Sequence, residues 1–598
     1  MNAKAHAVSV ADARTALGVL RSFSGRRWSF VESDEDAARA LALDSGIPFA
    51  LARLLLARGV AAKAVADYLN PTLKSLLPEP LTLKDMQKAV ERVQAALERG
   101  EQIAVFGDYD VDGSCSAALL YDYLSAVGKR PRVYIPDRMT EGYGPSARAM
   151  LQLKDEGASL VVTVDCGAAA ADALAAAHDA GLDVIVLDHH AVECETRAFA
   201  HVNPNQPGDA SGQGQVCAAG VAFLFLVALN RALRTAGTFT AKTEPDLREY
   251  MDLVGLATVC DVVPLTGVNR AFVQIGLAKL AKLERPGLAA LARVAATAPP
   301  FTPYHLGFVF GPRINAGGRV GRCSLGVDLL TTRDAIAAEE YALALDTHNR
   351  ERQAIEKLIL DEAIAKAEAH DNQPFVFVVG EGWHPGVVGI VAGRLKERLG
   401  KPAFVAGFES GMGRGSARSI AGIDIGAIVR AAREAGVLDA GGGHAMAAGF
   451  SLRPEQSDAF HAFLTDSFAK AGDRLADAIA LSLEGVVSPA GAVPLLVQDM
   501  ARAGPFGAGN TEPLLAVPDV QVAFADVVGK NHVRLRLLGS DGARLDAIAF
   551  RTADTDLGRA LLNARGTRIH AAGRLRADEW NGRVRVQLHL EDAAQAGV

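Results

Sequence analysis

FGDYDVDG, residues 106–113, sets three aspartates at alternate positions directly after the apolar stretch Ile103–Val105 and closes on a glycine. It is the first of four short β-forming runs that end in acid: QIAVFGD, PRVYIPD, SLVVTVD and DVIVLDHH run into Asp108, Asp137, Asp165 and Asp188. Between them lie segments such as SCSAALLYDYLSAVG and AAADALAAAHDAG, which suit helices. Such alternation predicts an α/β fold with a doubly wound parallel sheet. In that fold the carboxyl ends of the strands share one edge, where ligands bind.

The edge is crowded with like charge. Residues 101–200 hold 16 Asp and Glu against 7 Lys and Arg, a cluster that repels itself unless cations neutralise it. Asp110 and Asp112 stand two apart on a tight loop closed by Gly113, and DHH at 188–190 adds imidazoles beside another carboxylate. Hard oxygens with His nitrogen suit Mn²⁺ or Mg²⁺ rather than a thiolate zinc site. Alternating Asp before Gly also occurs in calcium loops, but those are flanked by helices and closed by Glu, whereas a strand precedes this one. A His pair after a strand can equally be a cap or a surface feature.

Outward from this region, residues 1–95 are Ala- and Leu-rich with charges at helical spacing, broken by prolines near 71–80, and predict a helical lead-in. An α/β domain is expected over 96–332. Residues 333–370 lack Gly and Pro and predict one long connecting helix. A smaller α/β unit follows over 371–470, with FVFVVG as a strand, VVGIVAGRLKERLG as a helix and a glycine cluster at 441–449. From 484 to 595 short strands dominate (VQVAFADVV, HVRLRLLG, ARLDAIAF, RIHAAGRL, VRVQLHLED), which predicts a small β-barrel of the oligonucleotide-binding (OB) type.

A chain of 598 residues, 49% hydrophobic, has room for several cores. The uncharged run Val216–Leu229 is too short to span a bilayer and reads as a buried helix, so no membrane association is expected. The N-terminus lacks a signal peptide's continuous apolar region, and a cytoplasmic location follows as the expectation. Six scattered cysteines form no CxxC pair and signal neither a zinc site nor a disulfide framework. The net charge of −7 argues against a polyanionic partner unless basic residues gather locally.

DYDVDG, VDCG around Asp165, DHH and the acid of ATVCDVVPL (Asp261) resemble the ordered motifs of the DHH phosphoesterase superfamily. The likeness continues through GPRINAGGRVG (311–321), NRERQ (349–353), GWHPGVVGIVAGRL (382–395), GRGSARSI (413–420), GGGHAMAAGF (441–450) and PFGAGNTEP (505–513). That series is similar, over roughly residues 70–595, to the branch of the superfamily that degrades single-stranded DNA from the 5′ end.

The resemblance implies two divalent ions, Mn²⁺ or Mg²⁺, held by Asp110, Asp112, Asp165, His189 and Asp261. Asp108 is a sixth ligand candidate, where a related pyrophosphatase branch has histidine. Two such ions clamp the attacking and departing oxygens of a displacement at phosphorus. His190 is then the candidate to contact the scissile phosphate or protonate the leaving oxygen, with Asp188 orienting an imidazole; packing or capping is the plainer reading of both. Arg138 and Arg313 match positions expected near a terminal phosphate, although each alone reads equally well as a structural salt bridge. GGGHAMAAG resembles the substrate-binding motif of the DHHA1 domain, where Gly442, Gly443 and His444 would meet phosphate; outside that context it reads as a glycine turn before a helix. With His384, Ser416 and Arg418 it would form the wall of a cleft opposite the metals.

Residues 529–592 hold 12 Lys and Arg against 8 Asp and Glu. Interleaved with Phe550 and Trp580, they suit contact with a single-stranded backbone and its bases, and equally suit solvated strand faces. The function expected is a metal-dependent exonuclease that releases 5′-mononucleotides from single-stranded DNA in repair and recombination. It would act as a monomer, with a single-strand-binding protein and a helicase as candidate partners. A phosphodiesterase for short oligonucleotides or cyclic dinucleotides and a non-catalytic replication scaffold are the alternatives.

Overall fold

Ile103–Gly107, Leu160–Val164 and Asp183–Leu187 are short runs rich in Val, Ile and Leu, with no room for a helical period, and all three form strands covered on both faces. The computed structural model of the chain describes residues 15–597, apart from 139, 193, 241, 242, 369–372, 421, 471–479, 581 and 582. Its contacts divide the chain into two units: one holds residues 67–354 with 505–511, the other the remaining described residues.

In the first unit the sheet is wholly parallel, in the order Arg132–Tyr134, Ile103–Gly107, Leu160–Val164, Asp183–Leu187 and Ala200–Val202. Four strands are foreseen by sequence; Ala200–Val202, only three residues long, is a fifth. Successive side chains part to opposite faces: Ile103 and Val105 join the larger core, Ala104 and Phe106 the smaller one. The helices Val111–Ala126, Ala218–Thr235 and Met251–Cys260 cover the first face, and Ala147–Asp155 and Ala171–Asp179 the second. The strand order reverses between Ile103–Gly107 and Leu160–Val164, so Asp108 and Asp165 flank the switch point where such sheets leave a crevice. Ala218–Thr235 is long and apolar enough to cross a membrane, yet 72% of it is buried inside the unit.

Among its described residues the second unit contains two larger β structures. Ala440–His444, Ala447–Leu452, Met412–Arg418, Ala403–Glu409 and Val376–Glu381 form a mixed sheet in that order, packed through Phe404, Phe450, Phe460 and Phe468. The glycine cluster is therefore an edge hairpin, not a turn before a helix. Leu515–Val528, His532–Leu538, Arg544–Ala549, Arg583–Gln595 and Arg568–Trp580 close a five-stranded barrel, the last strand pairing again with the first. One helix, Ala335–Glu368, contributes to both units.

The lead-in is not purely helical. Trp28–Phe30 pairs in parallel with Leu481–Leu483, and the fully buried Trp28 donates from Nε1 to Asp592 Oδ2 at 2.9 Å. Three residues are too few for a period-two pattern to register.

Arg285 links helices of the larger core, donating to Asp122 at 2.7 Å, Asp252 at 2.9 Å and the Leu330 carbonyl at 2.7 Å, with all three side chains buried. Arg285→Met would leave the buried Asp252 without a cation and Asp122 with Arg333 alone, 2.9 Å away, and should cost about 3–5 kcal/mol. Arg234→Ala, which removes an exposed pair with Glu244, should cost about 1 kcal/mol or less. Denaturant unfolding of the two variants checks the contrast; equal costs would contradict it.

Candidate metal centre

The helix Val111–Ala126 begins almost at the strand end. A Cβ on Gly113 would lie 2.5–2.7 Å from the Asp108 backbone, so only glycine lets the helix start that close beneath the strand. Asp110 caps this helix, accepting from Gly113 N at 3.0 Å. Asp112 points from its first turn to the N-terminus of Ala218–Thr235 and accepts from the Ala218 and Ala219 amides at 2.7 and 2.8 Å. Asn315, from GPRIN, fixes the same loop by accepting from Val111 N at 3.1 Å.

The other acids arrive from neighbouring elements. Asp165 follows its strand in a left-handed conformation, φ 59°, which Asp tolerates better than most residues. Tyr143 Oη donates to its carbonyl at 2.9 Å. Asp261 closes the helix Met251–Cys260. Around His189 Nε2 stand Asp165 Oδ1 at 3.4 Å, Asp261 Oδ2 at 3.5 Å and Asp112 Oδ2 at 3.8 Å. Ligand atoms of Asp108, Asp110 and Asp165 form a second group, all within 4.8 Å of one another.

Asp188 is fully enclosed and accepts from the amides of Ala168, His189 and His190. Its Oδ1 also meets His190 Nδ1 at 2.8 Å. Burial alone would raise the Asp188 carboxyl; the His190 hydrogen bond and charge, with the Ala168 amide and the charge of His189, hold it well below the usual carboxylate range. His190 responds in kind: burial lowers it, but Asp188 pushes it up to about 9, so the ring is an imidazolium at neutral pH.

Four other carboxyls shift the opposite way. Burial and then the charge of Asp110 raise Asp108 and Asp165 well above their ordinary values. Burial and Asp110 raise Asp112 to about 7 against the Ala218 and Ala219 amides, and burial with Asp112 takes Asp261 to about 9. Asp108 Oδ1 and Asp261 Oδ2 are buried and accept no hydrogen bond. A set of carboxylate oxygens with one imidazole, part of it unsatisfied, fits hard divalent cations.

The comparisons agree with this geometry. The family model described as DHH family, N-terminal domain, matches residues 102–258, the DHHA1 domain 372–470 and the RecJ OB domain 483–592. The single-stranded-DNA-specific exonuclease RecJ of Dickeya dadantii is 36% identical over 92% of this chain and 96% of its own length. That of Bacillus subtilis is 33% identical over 96% of this chain and 71% of its own length. The chain belongs to the RecJ family. The crystal structure of RecJ in complex with Mn²⁺ from Thermus thermophilus superposes with a TM-score of 0.80, covering 95% of this chain and 80% of that one at 29% identity.

The remaining residues singled out by sequence fall in several places. Arg138 lies near the acids, its guanidinium 5.2 Å from the Tyr109 ring centre. Asp137 instead forms a turn, accepting from Thr140 N and Oγ1. Arg313 is bound into the fold by Asp346 at 2.9 Å and the Val309 carbonyl at 2.8 Å, which commits two of its donors to structure.

In the other unit His384 caps the helix Pro385–Leu399 through Nδ1 and Gly386 N. Arg418 donates to Ser416 Oγ at 2.8 Å; burial lowers its pKa, and among the described residues no carboxylate pairs with it. Gly443, φ 143°, has room only for hydrogen, because a Cβ would meet the Ala447 carbonyl at 2.5 Å; Gly442 has open space. His444 ends the same edge strand, exposed.

In the barrel, Phe550 is exposed and lies edge-on to His532 and His589, at 5.3 and 5.0 Å between ring centres. The Trp580 side chain lies outside the described residues.

Sequence reasoning missed the supports of the DHH turn. Asn203 Nδ2 donates to the His190 carbonyl at 2.9 Å and Asn205 Nδ2 to the His189 carbonyl at 2.6 Å, both from just beyond the fifth strand. An Asn-Pro-Asn turn carries no mark of the loop it will hold.

The raised carboxyls set a pH dependence. The folded chain without metal keeps protons on Asp112 and Asp261 up to about 7 and about 9, whereas unfolded Asp releases them near pH 4. Their stabilising contribution is therefore whole below about pH 4 and lost as pH climbs through those values. With chelator, the thermal midpoint should fall from pH 5 to 9, and the rise produced by saturating Mn²⁺ should grow over the same interval. A metal-induced rise independent of pH would contradict this reading.

Proposed function

We propose that this protein is a metal-dependent exonuclease that hydrolyses single-stranded DNA in the 5′-to-3′ direction to 5′-mononucleotides, in repair and recombination. The observation that carries the reading is the group of buried and half-buried acids around His189 at the sheet's switch point, with Asp108 Oδ1 and Asp261 Oδ2 unsatisfied, in a chain that matches RecJ relatives over most of their length. We assign 96–332 to catalysis, 371–470 to the DHHA1 domain and 484–595 to the OB-type barrel, with 333–370 as the connecting helix and 1–95 as the lead-in.

Asp110, Asp112, Asp165, His189 and Asp261, with Asp108, would hold two Mn²⁺ or Mg²⁺ ions. Such ions supply charge stabilisation for in-line displacement at phosphorus and lower the proton affinity of water. His190 keeps its Nδ1 proton on Asp188 Oδ1 and carries a positive charge at the edge of the acid cluster. A cation there attracts the scissile phosphate and can deliver a proton as the leaving oxygen gains charge. Tyr143 Oη, 3.3 Å from His190 Nδ1, limits the ring's rotation while it holds the Asp165 carbonyl.

Arg138, close to the acids, suits the terminal phosphate better than Arg313, two of whose donors are engaged. Arg418, a half-buried cation without an acid partner among the described residues, suits DNA phosphate, with Ser416 setting its direction and His384, Gly442, Gly443 and His444 as further substrate contacts. Phe550 between two imidazoles suits stacking on a base. The match of residues 483–592 to the RecJ OB domain favours a polymer substrate over short oligonucleotides or cyclic dinucleotides. A single-strand-binding protein and a helicase remain candidate partners, with the chain itself a monomer in the cytoplasm.

End-labelled single strands and duplexes incubated with Mn²⁺ should yield mononucleotides from the 5′ end of the single strand alone, and nothing with chelator. Asp165→Ala should abolish the activity at every Mn²⁺ concentration. His190→Gln should lower kcat about a hundredfold or more with little change in KM. Cleavage that survives chelator, or activity undiminished in Asp165→Ala, would refute the metal mechanism.

A further inference from the structure

PFGAGNTEP lies between the helix Pro494–Ala501 and the barrel strand that begins at Leu515, yet residues 505–511 pack with the sheet unit. They close on the turn that follows Asp261. Leu265 N donates to the Ala508 carbonyl at 2.8 Å, and on the other side of the same turn Asn269 Nδ2 donates to the Pro264 carbonyl at 2.9 Å. The contact is too tight for side chains: a Cβ would approach Leu265 Cδ1 to 2.7 Å at Gly507 and Pro264 Cβ to 2.8 Å at Gly509, which also has φ 64°.

Between Asp261 and this clamp sits Val262 at φ 60°, a left-handed conformation that a β-branched residue adopts only under constraint. The turn that aims Asp261 is thus held by neighbours rather than by its own preference.

The loop in turn depends on one side chain. Asn510, buried, donates from Nδ2 to the Pro505 carbonyl at 2.8 Å and accepts at Oδ1 from Tyr68 Oη at 2.8 Å. Its backbone exchanges hydrogen bonds with Gly507, at 2.9 and 3.3 Å. Tyr68 lies over the buried Arg270 guanidinium, 3.6 Å from its ring centre, and Arg270 donates to the Tyr68 carbonyl at 2.8 Å. A continuous run of contacts joins Arg270, Tyr68, Asn510, the 505–511 loop and Leu265 to the turn of Asp261.

We propose that Asn510 is a positioning residue: it folds the 505–511 loop into a clamp that holds the Asp261 carboxylate where a divalent ion needs it. The proposal rests on the metal reading above. Groups that orient a metal ligand from outside its contact shell typically change affinity about 10–100-fold when removed.

The test is calorimetric titration of Mn²⁺ into the full-length protein, below the unfolding range of each variant, with thermal midpoints measured in chelator. Asn510→Ala should bind Mn²⁺ about tenfold more weakly. Tyr68→Phe, which removes one hydroxyl and keeps the ring over Arg270, should weaken it about two- to tenfold, the effect of one lost hydrogen bond. In both, nuclease activity should return as Mn²⁺ is raised.

A lowered midpoint with parental Mn²⁺ affinity would make Asn510 a purely structural residue and overturn the proposal. If Asn510→Ala does not fold, Tyr68→Phe decides by the same criterion. A parent protein that binds no Mn²⁺ would overturn the metal reading and the clamp together, whereas a binding parent with indifferent variants removes the clamp alone.

Discussion

A carboxylate taken out of water must accept hydrogen bonds or face a cation, and this sheet unit is organised around that requirement. Asp112 has two amides at a helix N-terminus, and Asp188 has three amides and an imidazolium. Asp108 and Asp261 each keep a buried oxygen with no donor. The fold thus answers some of its acids internally and leaves others for an ion.

The acids meet because the backbone is forced into unusual arrangements beside them. Gly113 lets a helix begin against the end of its own strand, so that Asp108, Asp110 and Asp112 converge. Asp165 and Val262 both take left-handed conformations, one at an acid and one just after another. Each needs an outside hold: Tyr143 on the Asp165 carbonyl, and the 505–511 loop on the turn after Val262. Strain of this kind survives only where surrounding contacts over-determine it.

How much of this was legible follows from what sequence patterns can carry. Five-residue runs such as Leu160–Val164 register by composition, and the acids register because they follow those runs at once. Parallel pairing then brings Asp108, Asp165 and Asp188 to one edge without further information. Three-residue strands such as Trp28–Phe30 and Ala200–Val202 fall below the length at which a pattern exists. GGGHAMAAG reads as a turn by composition, but pairing with Met412–Arg418 and the lack of space at Gly443 make it part of a sheet edge. Arg313 matched a phosphate position, and no local pattern announces Asp346, 33 residues further on, as its partner. The destination of 505–511 is likewise non-local, since its contacts at Leu265 and Tyr68 lie hundreds of residues upstream.

The charge balance shows why counting residues is a weak guide to nucleic-acid binding. The barrel region carries a surplus of arginine, but Arg536, Arg568, Arg574 and Arg576 are paired with Asp546, Asp519, Glu591 and Glu512. A paired guanidinium offers a phosphate less than its formal charge, because the approaching anion also meets the carboxylate. Arg418, half-buried and without an acid partner among the described residues, keeps its full formal charge. At the acid cluster the sign itself is conditional: without cations it repels a phosphate, and with them it attracts one. An acidic chain can therefore act on a polyanion when the positive charge at the reacting centre comes from bound ions rather than from its own side chains.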